Sequence, residues 1–381
     1  MSISTQAARK AAPIDWLARA GALAPLLADS AARHDADDSF VAENYARLKA
    51  EGFFGAHVPA ELGGGGADYA ELAAVIRRLG SCCGSTALSL SMHSHLIAVA
   101  VWRWRHQNAP TDGLLKRVAA EDLVLVSSGG TDWLKSAGTA TRVEGGFRIT
   151  ARKIFSSGCL AGDLLMTSAV FDDPDAGPTV LHFAVPFSAD GVSIRETWRV
   201  MGMRGTGSHD VELDEVFVPE AAISGRRPQG QWHPLFHAIS LLAFPLIYSA
   251  YVGVAGGARD KALEVARRRP ADEGLVQLVG EMENAFFAAE GALERMIRLA
   301  ETAQPGPETT SRAMIGRTLV AEAAIRTVER AMEVAGGAAF HRDLGIERAF
   351  RDVQGARFHP LQQKPQLRYT GRLALGLDID G

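Results

Sequence analysis

The spacing of apolar and polar positions divides the chain into three regions. From about residue 10 to 120, apolar residues recur at helical spacing, as in FVAENYARLKAEGFFG and DYAELAAVIRRLG. Asp68 is the predicted N-cap of the second of these helices, and Gly52 and Gly80 are predicted to end the two. The intervening VPAELGGGG predicts a loop, because glycine is costly inside a helix.

From about residue 121 to 225 the period changes to that of β-strands. TATRVEGGFRITARKIFSSG predicts two strands that turn around Gly145 and Gly146. Further strands are predicted in DLLMTSAVFD, TVLHFAVPF and HDVELDEVFVP. Short strands separated by Gly, Pro and Asp indicate an antiparallel sheet or barrel.

From about residue 230 the pattern is helical again, with long amphipathic segments at 274–303 and 309–335 separated by QPGP. Such a pair is typical of antiparallel helices in a bundle. We therefore predict an α+β protein with an N-terminal helical domain (1–120), a middle antiparallel β domain (121–225) and a C-terminal four-helix-type bundle (226–381).

Residues 238–258 are uncharged over a length that could cross a bilayer. Pro245 interrupts the stretch, and the helical pattern continues directly into charged residues. An entirely apolar helix is also typical of the centre of a bundle, so we predict a buried helix and no membrane contact.

Composition narrows the class of protein. A length of 381 residues exceeds one ordinary core, and 47% hydrophobic with 22% charged residues indicates a globular chain. A net charge of −4 gives no electrostatic reason to expect nucleic acid. Cys82, Cys83 and Cys159 form no metal-ligand spacing and no disulfide framework. With no apolar signal-peptide core at the N-terminus, we expect a reduced, cytoplasmic protein without a metal site.

Two stretches are candidates for chemistry, since no GxSxG, Walker or HExxH motif is present. VSSGGTDW (126–133) and KIFSSGC (153–159) each place small hydroxyl residues and glycine after a predicted strand. Either one alone is best explained as an ordinary turn. Together, on neighbouring strands, they indicate a site for a planar cofactor, because small residues let a flat ring approach the backbone.

The helix–β–helix order, VPAELGGGG, KIFSSG, WRVMGMRGTGSHDVELDEVFVP and EVAGGAAFHRDLGIERAFRD together resemble the acyl-CoA dehydrogenase superfamily over nearly the whole chain. The resemblance implies a flavin between the β domain and the bundle, and a homotetramer in which a neighbouring subunit touches each flavin. FAD is expected, with FMN an alternative, because the family's Arg-x-Gln-Phe-Gly segment for the pyrophosphate is replaced by ARRRPADEG. Arg267, Arg268 and Arg269 are candidates for its role.

The resemblance also implies the residues that hold the flavin. Ser128 and Thr131 are the expected donors to the isoalloxazine, Phe155 packs on the ring, and Ser157 approaches its N5 edge. The dinucleotide part is expected to be lined, from a neighbouring subunit, by Glu333, Gly336 and Gly337.

The chain departs from the family pattern where a dehydrogenase needs a carboxylate base. The two positions that carry this glutamate in family members are Pro360 and Ala243 here, and Phe244 replaces an arginine of the substrate pocket. FSSG and a histidine after the Arg-Asp pair, His359, instead resemble the superfamily's flavin monooxygenases, which receive reduced flavin from a separate reductase.

These monooxygenases also place a histidine of the N-terminal domain over the flavin. His93 and His95 are the candidates, and we prefer His95, since residues two apart do not share a helix face. His359 is either a packed turn residue or a catalytic group, because histidine charges near neutral pH.

The favoured interpretation is a two-component monooxygenase of a small organic substrate, with His359 and His95 as catalytic residues. The alternatives are an acyl-CoA dehydrogenase with a displaced base, and a non-catalytic flavin-binding protein.

Overall fold

The structure is a computed structural model that describes residues 14–128 and 130–381, without the side chain of Thr131. In this part of the chain a helical region, an eight-stranded sheet and a second helical region follow one another. The α+β architecture predicted from the periodicity is confirmed.

The N-terminal region consists of helices whose ends agree with the sequence signals. Asp68 caps the third helix by accepting a hydrogen bond from the amide of Glu71, and that helix ends at Gly80 as predicted. The second helix ends at Ala50, two residues before Gly52, whose φ of +75° favours glycine. The helices are α1 (Trp16–Asp37), α2 (Ala42–Ala50), α3 (Tyr69–Gly80), α4 (Gly84–Gln107) and α5 (Asp112–Glu121).

The middle region is a single sheet, and its predicted hairpin forms around Glu144 and Gly145. The described strands are β1 (Leu125–Ser127), β2 (Thr139–Val143), β3 (Gly146–Lys153), β4 (Leu164–Asp173), β5 (Gly177–Pro186), β6 (Val192–Arg195), β7 (Asp210–Pro219) and β8 (Gly225–Pro228). Their order is β6-β7-β3-β2-β4-β5-β8, with β1 paired to β4. The sheet is mainly antiparallel, but β4 pairs in parallel with β1 and with β2.

The C-terminal region is a bundle built around one apolar helix. Its helices are α6 (Pro234–Ala266), α7 (Glu273–Thr302), α8 (Pro307–Ala335), α9 (Ile346–Val353) and α10 (Gln363–Ala374). α6 is long and apolar enough to cross a bilayer, but 94% of its most apolar stretch is buried in the protein. The predicted buried core helix is therefore confirmed.

α3 and α6 join the two helical regions at an unusually close crossing. A Cβ atom at Gly253 would lie 2.3 Å from the carbonyl oxygen of Arg77, and one at Gly257 would lie 2.3 Å from that of Ser81. Only glycine allows the two backbones to approach this far. The crossing fixes the N-terminal domain against the helix that carries much of the site.

The Arg-Asp pair of α9 connects all three regions. Arg351 forms ion pairs with Asp35 of α1 and Glu347, and it donates to the carbonyl of Met201 at 3.0 Å. Asp352 accepts a hydrogen bond from the amide of Met203. The segment that follows α9, and with it His359, is therefore anchored to both the helical and the β regions.

Candidate active site

A buried ion pair joins the two loops that the sequence singled out. Lys153 Nζ lies 3.0 Å from Oδ1 and 2.8 Å from Oδ2 of Asp132, and it also donates to the carbonyls of Ala137 and Ser168. Both charged side chains are buried. The prediction that the loops follow neighbouring strands is wrong, because β1 pairs with β4 whereas β3 lies between β2 and β7. The ion pair, and not strand adjacency, brings the loops together.

Ser128 lies at the end of β1, but its hydroxyl proton is already used. The hydroxyl donates to the carboxylate of Asp132, which also accepts from Thr167 at 3.2 Å. Toward a flavin, Ser128 is therefore left with an acceptor oxygen rather than the predicted donor. The side chain of Thr131, the second predicted donor, lies outside the described residues.

Phe155 and Ser157 present a flat apolar surface beside a hydroxyl group. Phe155 is 52% exposed and has a φ of +64°, a strained conformation for a side chain of this size. Its ring meets the edge of Trp198 at 5.8 Å. The hydroxyl of Ser157 lies 2.8 Å from that of Ser208 and keeps room for a further hydrogen bond. This surface fits the flat isoalloxazine ring that the sequence predicted.

A buried polar network holds His359. Its Nε2 lies 2.7 Å from the hydroxyl of Tyr251, and its carbonyl accepts a hydrogen bond of 3.0 Å from Arg317. Arg317 also donates to the carbonyl of Ala356, as does the hydroxyl of Tyr248 at 2.7 Å. Arg317, Tyr248 and Tyr251 are all buried. The histidine is therefore fixed at both its backbone and its ring.

The network also sets the protonation state of His359. Burial lowers the pKa of His359 to about 3, and the positive charge of Arg317 adds to this effect. Burial raises the pKa of Tyr251, so its hydroxyl stays protonated. Among the described residues this hydroxyl meets no other acceptor, so Tyr251 donates to Nε2 of His359. The neutral ring then carries its proton on Nδ1 and acts as a donor there.

The two histidines of α4 have different roles. Nε2 of His93 lies 2.8 Å from the carbonyl of Phe54, and its Nδ1 accepts from the amide of Leu125 at 3.0 Å. Both nitrogens of His93 are therefore occupied by the fold. His95 uses only Nδ1, which donates to the carbonyl of Ser91 at 3.2 Å. Burial lowers the pKa of His95 to about 4, so the neutral ring keeps Nε2 as an acceptor. This supports the choice of His95.

The loop after β1 also faces the C-terminal segment. A Cβ atom at Gly130 would lie 3.2 Å from the ring of Pro360. Trp133 packs on Phe236 at 4.9 Å and on Phe244 at 6.1 Å. Its indole nitrogen is buried without a partner among the described residues, and a bound polar ligand would satisfy such a donor.

The positions that hold a base in dehydrogenases are apolar in the structure as well as in the sequence. Ala243 is buried and Pro360 is half-buried, and Phe244, at the position of the substrate-pocket arginine, is also buried. The buried carboxylates of the described residues are all engaged: Asp132 by Lys153, Asp210 by Arg152, and Asp352 by the amide of Met203. No free buried carboxylate in this part of the chain is available to remove a proton.

The residues predicted to act across subunits lie at the end of α8. Glu333 is exposed and pairs with Arg330, and Gly337 is exposed. Arg269 donates to the carbonyl of Val334 at 3.0 Å, and its guanidinium lies 3.6 Å from where a Cβ atom of Gly336 would be. The arginine suggested for a pyrophosphate thus lies beside this segment.

Sequence reasoning missed Tyr251 and Arg317, which control His359. Both lie on bundle helices, and Tyr251 is 108 residues before its partner. The only signal was polarity at positions where the helical pattern is otherwise apolar, and a buried tyrosine is too common to be informative alone.

The ion pair between Lys153 and Asp132 predicts a large stability effect. Lys153→Met is expected to lower the free energy of unfolding by about 3–5 kcal/mol, because it leaves the Asp132 carboxylate buried without a partner. Denaturant unfolding measures the change. Lys135→Met removes an exposed lysine of the same domain and is the matched control. Adding Asp132→Asn to Lys153→Met should restore part of the lost stability. Equal stability of Lys153→Met and Lys135→Met would contradict the stabilising role of the ion pair.

The chain matches three family descriptions in succession: Acyl-CoA dehydrogenase, N-terminal domain (21–108), middle domain (127–216) and C-terminal domain (246–364). It therefore belongs to the acyl-CoA dehydrogenase superfamily, as its motifs predicted.

Its relatives include oxidising enzymes of different kinds. A putative acyl-CoA dehydrogenase, YdbM, of Bacillus subtilis is 28% identical over 91% of this chain and 92% of the relative. The amino sugar nitrososynthase RubN8 of Streptomyces rubradiris is 28% identical over 93% of this chain and 88% of the relative. Isobutylamine N-hydroxylase of Streptomyces viridifaciens is 29% identical over 82% of this chain and 84% of the relative.

A solved structure of KijD3 in complex with FMN and a dTDP-linked amino sugar has a TM-score of 0.88. It is 26% identical, and the match covers 96% of this chain and 94% of that one.

Proposed function

We propose that the protein is a flavin-dependent monooxygenase that receives reduced flavin from a separate reductase and oxygenates a small organic substrate. The observation that carries this proposal is the placement of His359, held by Tyr251 and Arg317 next to the position where dehydrogenases of the family carry their carboxylate. A neutral histidine with a pKa of about 3 is a hydrogen-bond donor, not a base for the α-proton of a thioester.

The residues divide the work between binding and proton handling. Phe155 and Ser157 hold the flat ring of FAD or FMN. The bound flavin supplies the electrons that activate oxygen. His359 donates a hydrogen bond from Nδ1 into the site, while His95 offers Nε2 as the acceptor of a hydrogen bond from the substrate. A fixed donor and a fixed acceptor, both neutral, need no change of charge near pH 7.

An amine is the first substrate class to test, since two relatives are named for reactions on an amino sugar and on isobutylamine. The protein is mixed with chemically reduced flavin, an amine panel and isotopically labelled O₂. We expect one labelled oxygen atom in the product, measured by mass spectrometry. Turnover that requires no oxygen would contradict the proposal.

An acyl-CoA dehydrogenase is the second candidate, favoured by the relative YdbM. Its test is anaerobic: a panel of acyl-CoA thioesters should bleach the bound oxidised flavin. We expect no bleaching, because the buried carboxylates of the described residues are already bound to other groups.

We infer a homotetramer from the apolar surface that the bundle leaves uncovered. Val276 and Phe287 on α7 are 55% and 77% exposed, and Leu319 on α8 is 50% exposed. Light scattering should therefore give a tetramer, or at least a dimer. A stable monomer with full flavin content would exclude the cross-subunit role proposed for Glu333, Gly336 and Gly337. The three unpaired cysteines support a reduced, cytoplasmic location.

A further inference from the structure

A cavity of about 130 Å³ lies where α4, β5 and β8 meet the start of α6. Its lining contains Arg103, Arg226 and Arg227 together with His182 and His233, and it contains no aspartate or glutamate. We propose that this cavity binds a phosphoryl group carried by the substrate. The assignment of that group to the substrate rests on the function proposed above.

Arg103 is the group left available for a ligand. Its guanidinium forms no hydrogen bond or ion pair with any residue in the described part of the chain. Arg226, by contrast, is paired with Glu220. Arginine presents a planar set of donors that matches phosphate oxygens, so an unpaired arginine in a cavity favours this class of ligand.

Arg227 builds the wall of the cavity. It donates to the carbonyls of Trp133 and Leu134 at 3.0 and 2.6 Å and to Nε2 of His182 at 3.1 Å. Its donors are therefore committed, but its charge is not neutralised, because Asp132, the carboxylate whose charge acts on it, is bound by Lys153. With Arg226 paired, Arg103 and Arg227 leave two positive charges uncompensated, which matches a phosphoryl dianion better than a single carboxylate.

The two histidines add neutral donors. Nδ1 of His233 accepts the amide of Leu235, and Nε2 of His182 accepts from Arg227. Burial and the neighbouring arginines lower the pKa of both rings, to about 3 for His182. A neutral ring that accepts at one nitrogen carries its proton on the other, so each keeps an N–H group for a ligand.

α4 and the loop after β1 both extend from the cavity to the candidate active site. Arg103 follows His95 by eight residues on the same helix, a rise of about 12 Å, and this spacing keeps both on one stripe. The bond from Arg227 to Trp133 fixes the loop that contains Ser128. A substrate that spans about 12 Å would place its reacting group near His95 and its phosphoryl group near Arg103.

The test measures binding of inorganic phosphate and inorganic pyrophosphate to the full-length protein at constant ionic strength. Tryptophan fluorescence is a suitable readout, because Trp133 and Trp232 lie beside the cavity residues Arg227 and His233. Arg103→Gln is expected to weaken binding at least tenfold, about the loss of one charge-assisted hydrogen bond. Arg105→Gln, two residues further on and exposed, should leave it unchanged. The proposal is overturned if neither phosphate nor pyrophosphate binds to the natural chain, or if Arg103→Gln and Arg105→Gln weaken binding equally.

A second measurement separates this proposal from the proposed function. With an amino sugar that carries a nucleoside diphosphate, Arg103→Gln should raise KM about tenfold and leave kcat unchanged, whereas the free amino sugar should show no difference. If Arg103→Gln loses phosphate binding but the natural chain forms no labelled product, the phosphoryl site is supported and the monooxygenase function is rejected. An unchanged KM for the diphosphate substrate would reject the assignment of the site to the substrate.

Discussion

Replacing His359 by alanine is expected to lower turnover about a hundredfold or more, the usual effect of losing a preorganised hydrogen-bond donor to the charge that develops in the transition state. The variant removes the donor at Nδ1 and leaves Tyr251 and Arg317 in place. Flavin affinity should change little, and the free energy of unfolding at neutral pH should fall by about 1–3 kcal/mol, because the buried Tyr251 hydroxyl loses its acceptor. The measurement is the rate of oxygenated product with reduced flavin in excess.

Two further variants show whether the effect is specific. Tyr251→Phe keeps the ring but removes the hydroxyl that fixes the His359 tautomer, so a loss of about tenfold is expected. His106→Ala removes an exposed histidine of α4 and should have no effect. If activity survives in His359→Ala, or falls only because the protein unfolds, His359 is a packing residue. If the variant is neutral and a thioester still reduces the flavin, a dehydrogenase with a displaced base is the better account.

The pKa of His359 also predicts a pH effect on stability. The folded state holds the pKa at about 3, below the ordinary value of 6.5, so the unfolded chain binds the proton first as the pH falls. Above pH 6.5 the ring is neutral in both states, so His359 does not reduce the stability of the fold. Between pH 6.5 and about 3 the unfolded chain binds a proton that the folded chain does not, so the free energy of unfolding falls. His359→Ala should therefore lose stability less steeply than the natural chain over this range, in denaturant unfolding at several pH values.

Replacing Ser157 by aspartate is expected to weaken flavin binding about a hundredfold or more without unfolding the β domain. The change would bury a carboxylate against the electron-rich N5 edge of the flavin, at a cost of several kcal/mol. Phe155 and the loop around Ser157 should keep their places, since the buried ion pair of Lys153 and not the Ser157 hydroxyl fixes this segment. Equilibrium dialysis with FAD and with FMN measures the affinity.

Ser188→Asp is the control, because this serine is exposed in the loop after β5. It adds the same charge to the same domain and should leave flavin affinity intact. Circular dichroism checks that both variants are folded. Unchanged affinity in Ser157→Asp would show that the flavin ring lies elsewhere.

The sequence alone determined the order of the regions and several element boundaries. Asp68, Gly80 and the turn near Gly145 are local signals, since capping and positive φ depend on a few neighbouring residues. The helical period of α7 and α8 is equally local. Family motifs then identified the superfamily, and the absence of glutamate at positions 243 and 360 directed attention to His359.

Tertiary structure alone decided what the candidate residues can do. Whether His93 or His95 is available depends on Phe54 and Leu125, which are distant in sequence. The state of His359 depends on Tyr251, 108 residues away, and on burial. Hydrogen bonds and desolvation act between groups that are close in space, and no periodic pattern encodes that distance. The sequence could therefore propose candidate residues of the site, but not the groups that hold them or the positions of their protons.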